Sequence, residues 1–504
     1  MNEIIAYLLL FGTLGIFAYI GYNSGAGKNI GDDEYLSARG TQNSLRIALS
    51  LFASGMGVWI LIGPSELGYY GGFWEVTGYA VSAATPFLLL AYIGPMIRNQ
   101  LPTGVTLADY VKMKLGRPMQ LYVGIISVLY MFTFLFAEFT AIGKGMEYLT
   151  DMKPMIPMMA VAIVTAAYTS FGGLPASLRT DKVQAGVILV LISVLLVILF
   201  GSDISELIKD AKAYNPAGYD ASWSNGSITY MDTFKSGLAI VLAITAAEMF
   251  SQGNWQRTWA SKDDKSLKKG ALIASALVLP LVFVMGFFGT VAAGRGIVDD
   301  PSLAFFTLIG DNNIILWAFV VLILALVCSS VDTLLNAISA SITRDISDSR
   351  MGLSHARIVT IAMVPMAIYL ATGPTIAGFT FDAWSVFGIF LVADLLAAAT
   401  IAPILLTLWK GVSSKGALIG AFSGILSVGA YGMLDGKYFL YLLHPTIDAL
   451  PASDGGLTNL WVFVAALLGS TIVTVLASSM LPDDPESIFS DIKKSSLPQS
   501  DNEE

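Results

Sequence analysis

The sequence predicts an all-α protein that crosses a membrane many times. Of its 504 residues, 55% are hydrophobic and only 13% are charged, whereas soluble domains carry roughly 45–50% apolar and about 25% charged residues. Apolar stretches near the roughly 20 residues that a helix needs to cross a bilayer recur along the chain. Lys and Arg accumulate in alternate connections between these stretches, which is typical of a polytopic membrane protein.

About thirteen apolar stretches are long enough to be membrane-spanning helices. They are predicted at about 3–22, 43–63, 72–96, 121–148, 155–170, 183–201, 234–252, 270–292, 311–340, 355–372, 382–409, 415–434 and 457–480. Residues 1–481 therefore form one transmembrane domain. Residues 482–504 are rich in Pro, Ser, Asp and Glu and are predicted to be a disordered tail.

The distribution of positive charge predicts the orientation. Alternate connections on one side hold 21 of the 28 Lys and Arg residues, including those from Arg257 to Lys269, and the opposite connections hold five. Because cytoplasmic loops retain Lys and Arg, this side is predicted to be cytoplasmic. The N-terminus then lies outside the cell and the C-terminal tail lies inside.

The sequence lacks the residues that several classes of function require. The two histidines, His355 and His444, share no motif, and Cys328 is the single cysteine, so zinc chemistry and disulfides within the chain are not expected. The net charge of -9 argues against nucleic acid as a partner. No GxxxxGK[ST] motif for ATP phosphates occurs. Any energy source is then an ion gradient rather than ATP.

Four acidic side chains within apolar runs of the predicted spans are candidates for function, because an ionised group in a bilayer core is costly. They are Glu138, Glu248, Asp332 and Asp394. The alternative for each is a structural hydrogen-bond acceptor between helices. The functional interpretation is strongest for Asp332. Hydroxyl oxygens of Ser329, Ser330 and Thr333 lie within one turn of it, and oxygen is the ligand that a hard cation prefers.

The second predicted span contains a candidate helix break. Gly55 and Gly57 flank Met56 near the middle of the span, and two closely spaced glycines lower helix propensity. In transporters a broken helix is tolerated where its carbonyls line a cavity and coordinate an ion. The alternative is close packing of helices through small residues.

Three segments closely resemble the sodium/solute symporter family, whose members include proline, sugar, sialic acid, choline and urea transporters. TSFGGLPASLRTDKVQ, from Thr169 to Gln184, resembles the family element T-x-x-GG-x-x-A-x-x-x-TD-x-x-Q. SQGNWQRTWASKDDKSLKKG, from Ser251 to Gly270, resembles its Q-x-x-x-QR-x-x-A-x-K loop, and SSVDTLLNAISASITRDI resembles its eighth core helix. The likeness extends over about residues 5–480.

The resemblance implies a LeuT-like core of two inverted five-helix repeats, here at about 43–201 and 234–409. It implies sodium-coupled secondary active symport that imports a small polar organic solute by alternating access. Sodium would be the coupling ion, and neither a cofactor nor enzymatic chemistry is expected. The implied location is a bacterial inner (cell) membrane.

The resemblance also implies an ion site between the broken first core helix and the eighth. The carried-over carbonyl donors are those of Ala53 and Met56, and the eighth-helix donors are Ser329, Asp332 and Thr333. Asp332 stands where many members have serine, while Gly55 stands where the proline branch has a carboxylate. Asp181 matches a family aspartate associated with ion release.

The substrate pocket implied by the family lies beside the third and sixth core helices. Its candidate residues are Glu75, Glu138, Thr245, Glu248, Ser251, Gln252 and Asp394. The proline branch has an aromatic pair where this chain has Thr245 and Met249, which weakens an assignment to proline. Lys144 is the one Lys or Arg near the centre of the spans. The acidic residues would therefore suit a cationic, zwitterionic or urea-like solute.

Three other functions are weighed against symport. A transporter-derived sensor would need a signalling domain or partner, and about 24 residues follow the last predicted span. A passive channel would conduct solute without an ion gradient. A membrane enzyme would need a nucleophile, a metal set or a nucleotide site, and no such set is recognisable.

Overall fold

The computed structural model is almost entirely helical. It describes residues 2–25, 31–201, 203–213, 231–310, 312–348, 350–376, 379–380, 386–408, 411–434, 436, 439 and 459–483. The predicted disordered tail lies outside the described residues from position 484 onward. The fold class predicted from the sequence, an all-α polytopic membrane protein, is confirmed.

The first half of the described chain contains eight helices. They are α1 (Glu3–Gly25), α2 (Asp32–Ser37), α3 (Ser44–Gly55), α4 (Trp59–Tyr70), α5 (Phe73–Gln100), α6 (Leu107–Thr150), α7 (Met155–Phe200) and α8 (Ile204–Ala213).

The second half contains eight more. They are α9 (Met231–Glu248), α10 (Gln252–Ala260), α11 (Asp264–Arg295), α12 (Asn313–Ala340), α13 (Leu353–Ala371), α14 (Val386–Leu406), α15 (Ser414–Leu434) and α16 (Leu460–Met480). Short 3-10 turns at Pro301–Leu303 and Phe306–Leu308 precede α12, and a π-helical turn at Ser341–Ile346 follows it. Two short antiparallel strands, β1 (Thr375–Ile376) and β2 (Phe379–Thr380), lie between α13 and α14.

The described residues include nine helices that are long and apolar enough to cross a membrane, and two bent helix pairs raise the number to eleven. Two predicted spans, 155–170 and 183–201, both fall inside α7, and the apolar segment Ala393–Leu406 of α14 is shorter than the others. The count of thirteen spans stays a prediction.

Helix α7 consists of two helices joined at Gly173. The backbone there has φ 57° and ψ -149°, a conformation that is essentially restricted to glycine. A Cβ at this position would also press on the ring and carbonyl of Tyr35. Pro175 follows two residues later, where its missing N–H is tolerated in the first turn of the second helix. The kink therefore separates the two spans that the sequence predicts as distinct.

Two spans are broken near their middle. Helices α3 and α4 meet at a bend of 57°, and α9 and α10 meet at a bend of 58°. The first break, at residues 56–58, lies where Gly55 and Gly57 predict it. The second, at residues 249–251, is not predicted by the sequence analysis, which assigns residues beyond 252 to a cytoplasmic connection. The structure corrects that assignment, because Gln252–Ala260 is a buried helix.

The helices around the two breaks form the core of the fold. Helix α5 packs against α9 and α11, while α12 packs against α6, α7 and α3. Helices α14, α15 and α16 pack against one another, and α14 also contacts α6 and α9. Helices α4 and α10, which follow the two breaks, each contact both α5 and α6. Polar groups gather at these breaks.

Candidate ion and substrate sites

A cavity lies at the first helix break and is bounded by both broken spans. Counted out to its open mouth, the space within its walls is about 540 Å³. Its small and aliphatic wall comes from Gly55, Met56, Ala83, Pro86 and Ile244.

Five aromatic rings form much of the remaining wall. They are Trp59, Tyr79, Phe87, Tyr130 and Phe134. Trp59 and Tyr79 lie with ring centroids 6.0 Å apart, and Tyr130 and Phe134 lie 5.0 Å apart. Such faces carry negative charge density and attract a cation placed over them.

Two carboxylates, Glu248 and Asp394, complete the cavity wall. Glu248 ends α9, and its two oxygens accept the Tyr130 hydroxyl at 2.9 Å and the Asn254 amide at 3.0 Å. Asp394 comes from α14 and is 2% exposed. Its Oδ2 is buried without a hydrogen-bond partner among the described residues. A buried carboxylate oxygen in that position calls for a donor or a cation.

The predicted ion site begins at a contact between α12 and the first break. The Ser329 hydroxyl donates to the Ala53 carbonyl at 2.9 Å, and both residues are fully buried. Ser329 also bonds within its own helix, to the carbonyls of Ala325 and Leu326. Met56, the other carbonyl candidate, lies in the break itself and is 1% exposed.

Asp332, one turn along α12, faces α7 rather than the break. Its carboxylate accepts hydroxyls from Tyr168 at 2.5 Å, Ser177 at 2.7 Å and Thr180 at 3.0 Å. Thr333 lies beside it, with a longer contact of 3.4 Å from its hydroxyl to Asp332 Oδ1. Two of the predicted eighth-helix donors thus face the α7 segment that carries the symporter-like motif.

Asp181 belongs to the same buried cluster through Arg257. The Arg257 Nη2 lies 2.7 Å from Asp181 Oδ2 and 2.9 Å from the Thr333 hydroxyl, and the side chains of the ion pair are 0% exposed. Ser50 of α3 bonds to both charged groups. Asp181 Oδ1 is buried without a hydrogen-bond partner among the described residues. The cluster therefore joins α3, α7, α10 and α12.

Glu138 and Glu75, both predicted to lie in the pocket, are buried elsewhere. Glu138 accepts the backbone amides of Val58 and Trp59 at the first break. Glu75 accepts the Gly72 amide at 2.9 Å and caps the N-terminus of α5. Neither carboxylate is among the residues that line the cavity.

The other pocket candidates lie at or near the second break, and Thr245 and Gln252 form hydrogen bonds to neighbouring helices. The Thr245 hydroxyl bonds to that of Thr85 on α5. Ser251 is the N-cap residue of α10. Gln252 is fully buried, accepts the Leu107 amide at 2.7 Å and donates to Ser127 at 2.8 Å. Of the predicted site residues, the structure brings Met56, Glu248 and Asp394 together at the cavity.

Several residues of the site are absent from the sequence-based candidates. Among them, Arg257 pairs with Asp181, and the Tyr168 and Ser177 hydroxyls donate to Asp332. The Tyr130 hydroxyl donates to Glu248. The available signal for Arg257 was its place in the QR element of the symporter-like loop, but its charge indicates a solvent-exposed connection when the sequence is considered alone. The tyrosines carry no such local signal.

Two known proteins with similar sequences are described as transporters. A protein described as spermidine transporter DUR31, from Candida albicans, is 28% identical over 496 residues, which cover 95% of this chain and 89% of the relative. A sodium/proline symporter from Staphylococcus saprophyticus is 25% identical over 460 residues, which cover 84% of each chain.

Solved structures of transporters share the fold. A Na⁺-coupled sialic acid symporter, solved substrate-bound and outward-open, superimposes with a TM-score of 0.72 at 15% identity, covering 95% of this chain and 98% of that one. Mhp1, a nucleobase-cation-symport-1 family transporter solved in a closed conformation, gives a TM-score of 0.56 at 15% identity, with 92% and 99% covered. These similarities confirm the LeuT-like fold class that the sequence predicts.

The sequence motifs, the two broken spans and the shared fold point to the same class of protein. The model of the sodium:solute symporter family matches residues 35–424, which is well over half of the chain. The chain therefore belongs to the sodium:solute symporter family.

Proposed function

We propose that the small solute carried by this sodium-coupled symporter is an organic amine cation, and that it binds in the cavity between Glu248 and Asp394. One observation carries the proposal. Two carboxylates and five aromatic rings line the cavity, and no Lys or Arg is among the described residues that line it. A solute with a protonated amine supplies the missing positive charge.

The wall chemistry favours a cation over a neutral or an anionic solute. Aromatic faces attract ammonium and guanidinium groups within about 6 Å of the ring centroid. A carboxylate inside the membrane is costly unless it is paired, and Asp394 Oδ2 has no partner among the described residues. A urea-like solute would leave that charge unpaired. A solute with only a carboxylate would meet charges of its own sign.

A similar protein supports an amine as the solute. The relative described as a spermidine transporter is similar over 95% of this chain, and spermidine is a linear amine with several positive charges. The sodium/proline symporters are similar over a smaller share. Proline carries a carboxylate, for which the described cavity wall offers no positively charged side chain.

For the coupling ion, we propose a site in the buried cluster that joins α7 and α12. With both carboxylates ionised, Asp181 and Asp332 place two negative charges against the one positive charge of Arg257. One sodium ion balances this set. The free Oδ1 of Asp181 and the hydroxyls of Ser329 and Thr333 are oxygen donors of the kind that a hard cation prefers.

The orientation of the protein is also part of the proposal. The excess of Lys and Arg in alternate connections supports an N-terminus outside the cell and a C-terminus in the cytoplasm. We place the protein in a bacterial inner membrane, where an inward sodium gradient drives import by alternating access.

Uptake by proteoliposomes tests the solute class. Labelled spermidine, agmatine, urea and proline are offered in parallel, with sodium outside or with potassium on both sides. The expected result is accumulation of an amine that requires the sodium gradient and is reduced by the other amine. Sodium-driven accumulation of urea or proline, without competition from either amine, would refute the proposal.

A further inference from the structure

Glu138 projects from α6 onto the first helix break, where its carboxylate binds the backbone. Its Oε2 accepts the Val58 amide at 2.8 Å and its Oε1 accepts the Trp59 amide at 3.4 Å. The residue is 1% exposed. These amides lie at the N-terminal end of α4, the end at which a helix carries partial positive charge.

Gly57 leaves the space that this carboxylate occupies. A Cβ built on Gly57 would overlap the Glu138 carboxylate oxygens, so a larger residue there would push the acid away from the amides. Val58, the N-cap residue of α4, makes no side-chain capping bond of its own. Glu138 therefore caps α4 from a different helix.

The capped amides are close to the proposed substrate site. The Trp59 side chain lines the cavity, together with Gly55 and Met56 from the same break, while the Trp59 amide is held by Glu138. In broken-helix transporters, the N-terminal end of such a half-helix is the place where a carboxylate of the solute is received. In this chain the Glu138 carboxylate already occupies that position at the N-terminal end of α4.

The second break also carries an acid. Glu248 is the last residue of α9, and Asn254 of α10 donates to it across the break at 3.0 Å. A solute carboxylate that approached either break would meet a resident negative charge in a medium of low dielectric constant, where repulsion between like charges is strong.

We propose that Glu138 takes the place of a solute carboxylate at the first break and thereby restricts the site to amines that carry no carboxylate. The inference rests on the proposed function, because it requires that the cavity binds amines. Glu138 is a positioning residue: it holds the backbone of the break and excludes amino acids by its charge, while Glu248 and Asp394 meet the amine.

Matched pairs of ligands test this selectivity without knowledge of the natural solute. Ornithine is putrescine with a carboxylate added, and arginine bears the same relation to agmatine. The purified protein is heated in sodium chloride with increasing concentrations of each compound, and the concentration for half-maximal stabilisation is recorded. We expect each amine to bind roughly tenfold or more tightly than its amino acid, because like charges brought together disfavour the wrong ligand.

Four variants change the resident carboxylate in different ways. Glu138→Gln removes its charge, and Gly57→Ala keeps the charge but displaces the group; both should reduce the preference for the amine several-fold. Glu138→Ala should weaken binding of the amine, and added acetate should restore part of it by occupying the vacated place. Glu138→Asp should retain the preference. Glu147→Gln, an exposed acid on the same helix, is the matched control.

Stabilisation by sodium alone reports whether each variant is folded, and Gly57→Ala keeps the test valid if Glu138→Gln does not fold. The inference is overturned if the unaltered protein binds ornithine as tightly as putrescine. An unchanged preference in the folded variants also overturns it, and leaves the proposed function intact. If sodium stabilises the protein but no amine of either pair does so, the proposed function and this inference both fail.

Discussion

The Ser329 hydroxyl of α12 donates to the Ala53 carbonyl of α3 at 2.9 Å, which links α12 directly to the last turn before the first break. The two residues are 276 positions apart in the sequence, and both are fully buried. A sodium ion that bound both oxygens would lie between them, and the hydroxyl would keep its proton and donate it to the Ala325 or Leu326 carbonyl of its own helix. This contact leads to the first prediction.

Ser329→Ala removes one oxygen donor and should raise the sodium concentration for half-maximal amine uptake by roughly two- to tenfold, the effect of one neutral hydrogen-bonding group worth about 0.5–1.5 kcal/mol. Uptake at increasing sodium concentrations measures it. Ser427→Ala is the control, because the Ser427 hydroxyl donates to the Ser423 carbonyl within α15, away from the proposed site. An identical sodium dependence in both variants would exclude Ser329 as a ligand.

Asp332→Asn should have a larger effect on sodium. It removes a buried charge that accepts three hydroxyl groups, and a charge-assisted interaction is worth about 1.5–3 kcal/mol, or roughly ten- to hundredfold in affinity. Stabilisation of the purified protein by sodium, without solute, separates this effect from solute binding. If sodium stabilises the variant at the same concentrations as the unaltered protein, Asp332 does not bind the ion.

Glu248→Gln and Asp394→Asn should weaken amine uptake. Each should raise the amine concentration for half-maximal uptake by roughly ten- to hundredfold, because each removes one charge that meets the ammonium group. Sodium stabilisation without solute should change little. Glu206→Gln, which alters an exposed acid of α8, should leave both measurements unchanged. Normal amine affinity in both pocket variants would show that the carboxylates are structural.

Gly173→Ala should destabilise the protein. The backbone conformation at this kink costs roughly 1–3 kcal/mol for a residue with a side chain, and the new methyl group would press on Tyr35. Thermal unfolding in detergent measures the change. Gly186→Ala, in the second half of α7, is the control, since a Cβ there meets nothing within 4 Å. Equal unfolding temperatures would mean that the kink can be built without glycine.

Single cysteines test the orientation of the chain. In a Cys328→Ser background, Lys265→Cys at the start of α11 should react with an impermeant thiol reagent only from the cytoplasmic side. Lys209→Cys in α8 should react only from outside. Both native lysines are exposed. Labelling of both positions from the same side would refute the predicted topology between residues 209 and 265.

The two helix breaks differ in how visible they are in the sequence. The first is predicted because Gly55 and Gly57 weaken the helix within an apolar run. The second contains Met249 and Phe250, which are ordinary residues of a membrane helix. It is stabilised by distant groups instead: the Trp255 indole donates to the Met249 carbonyl at 2.7 Å, and Gln252 ties the break to α6. Local propensity cannot reveal a break that is stabilised in this way.

The location of Arg257 could not be predicted from its charge either. A positive residue soon after an apolar run predicts a cytoplasmic loop. In the structure Arg257 is buried, and its main partner, Asp181, lies 76 positions earlier in the chain. Glu248 and Asp394 were found from the sequence because an acid inside an apolar run is conspicuous by itself. The residues that surround each of these two acids come from distant parts of the sequence, so only the folded structure identifies them.

With both acids ionised, Asp181, Asp332 and Arg257 together carry one net negative charge, which bears on the transport cycle. A carrier that changed its facing direction with Asp181 and Asp332 ionised, and without sodium, would hold an unbalanced charge in its dry interior during the movement. Such a charge is costly at low dielectric constant. On the proposal that sodium binds in this cluster, movement without sodium would be disfavoured by residues other than those that line the proposed solute cavity.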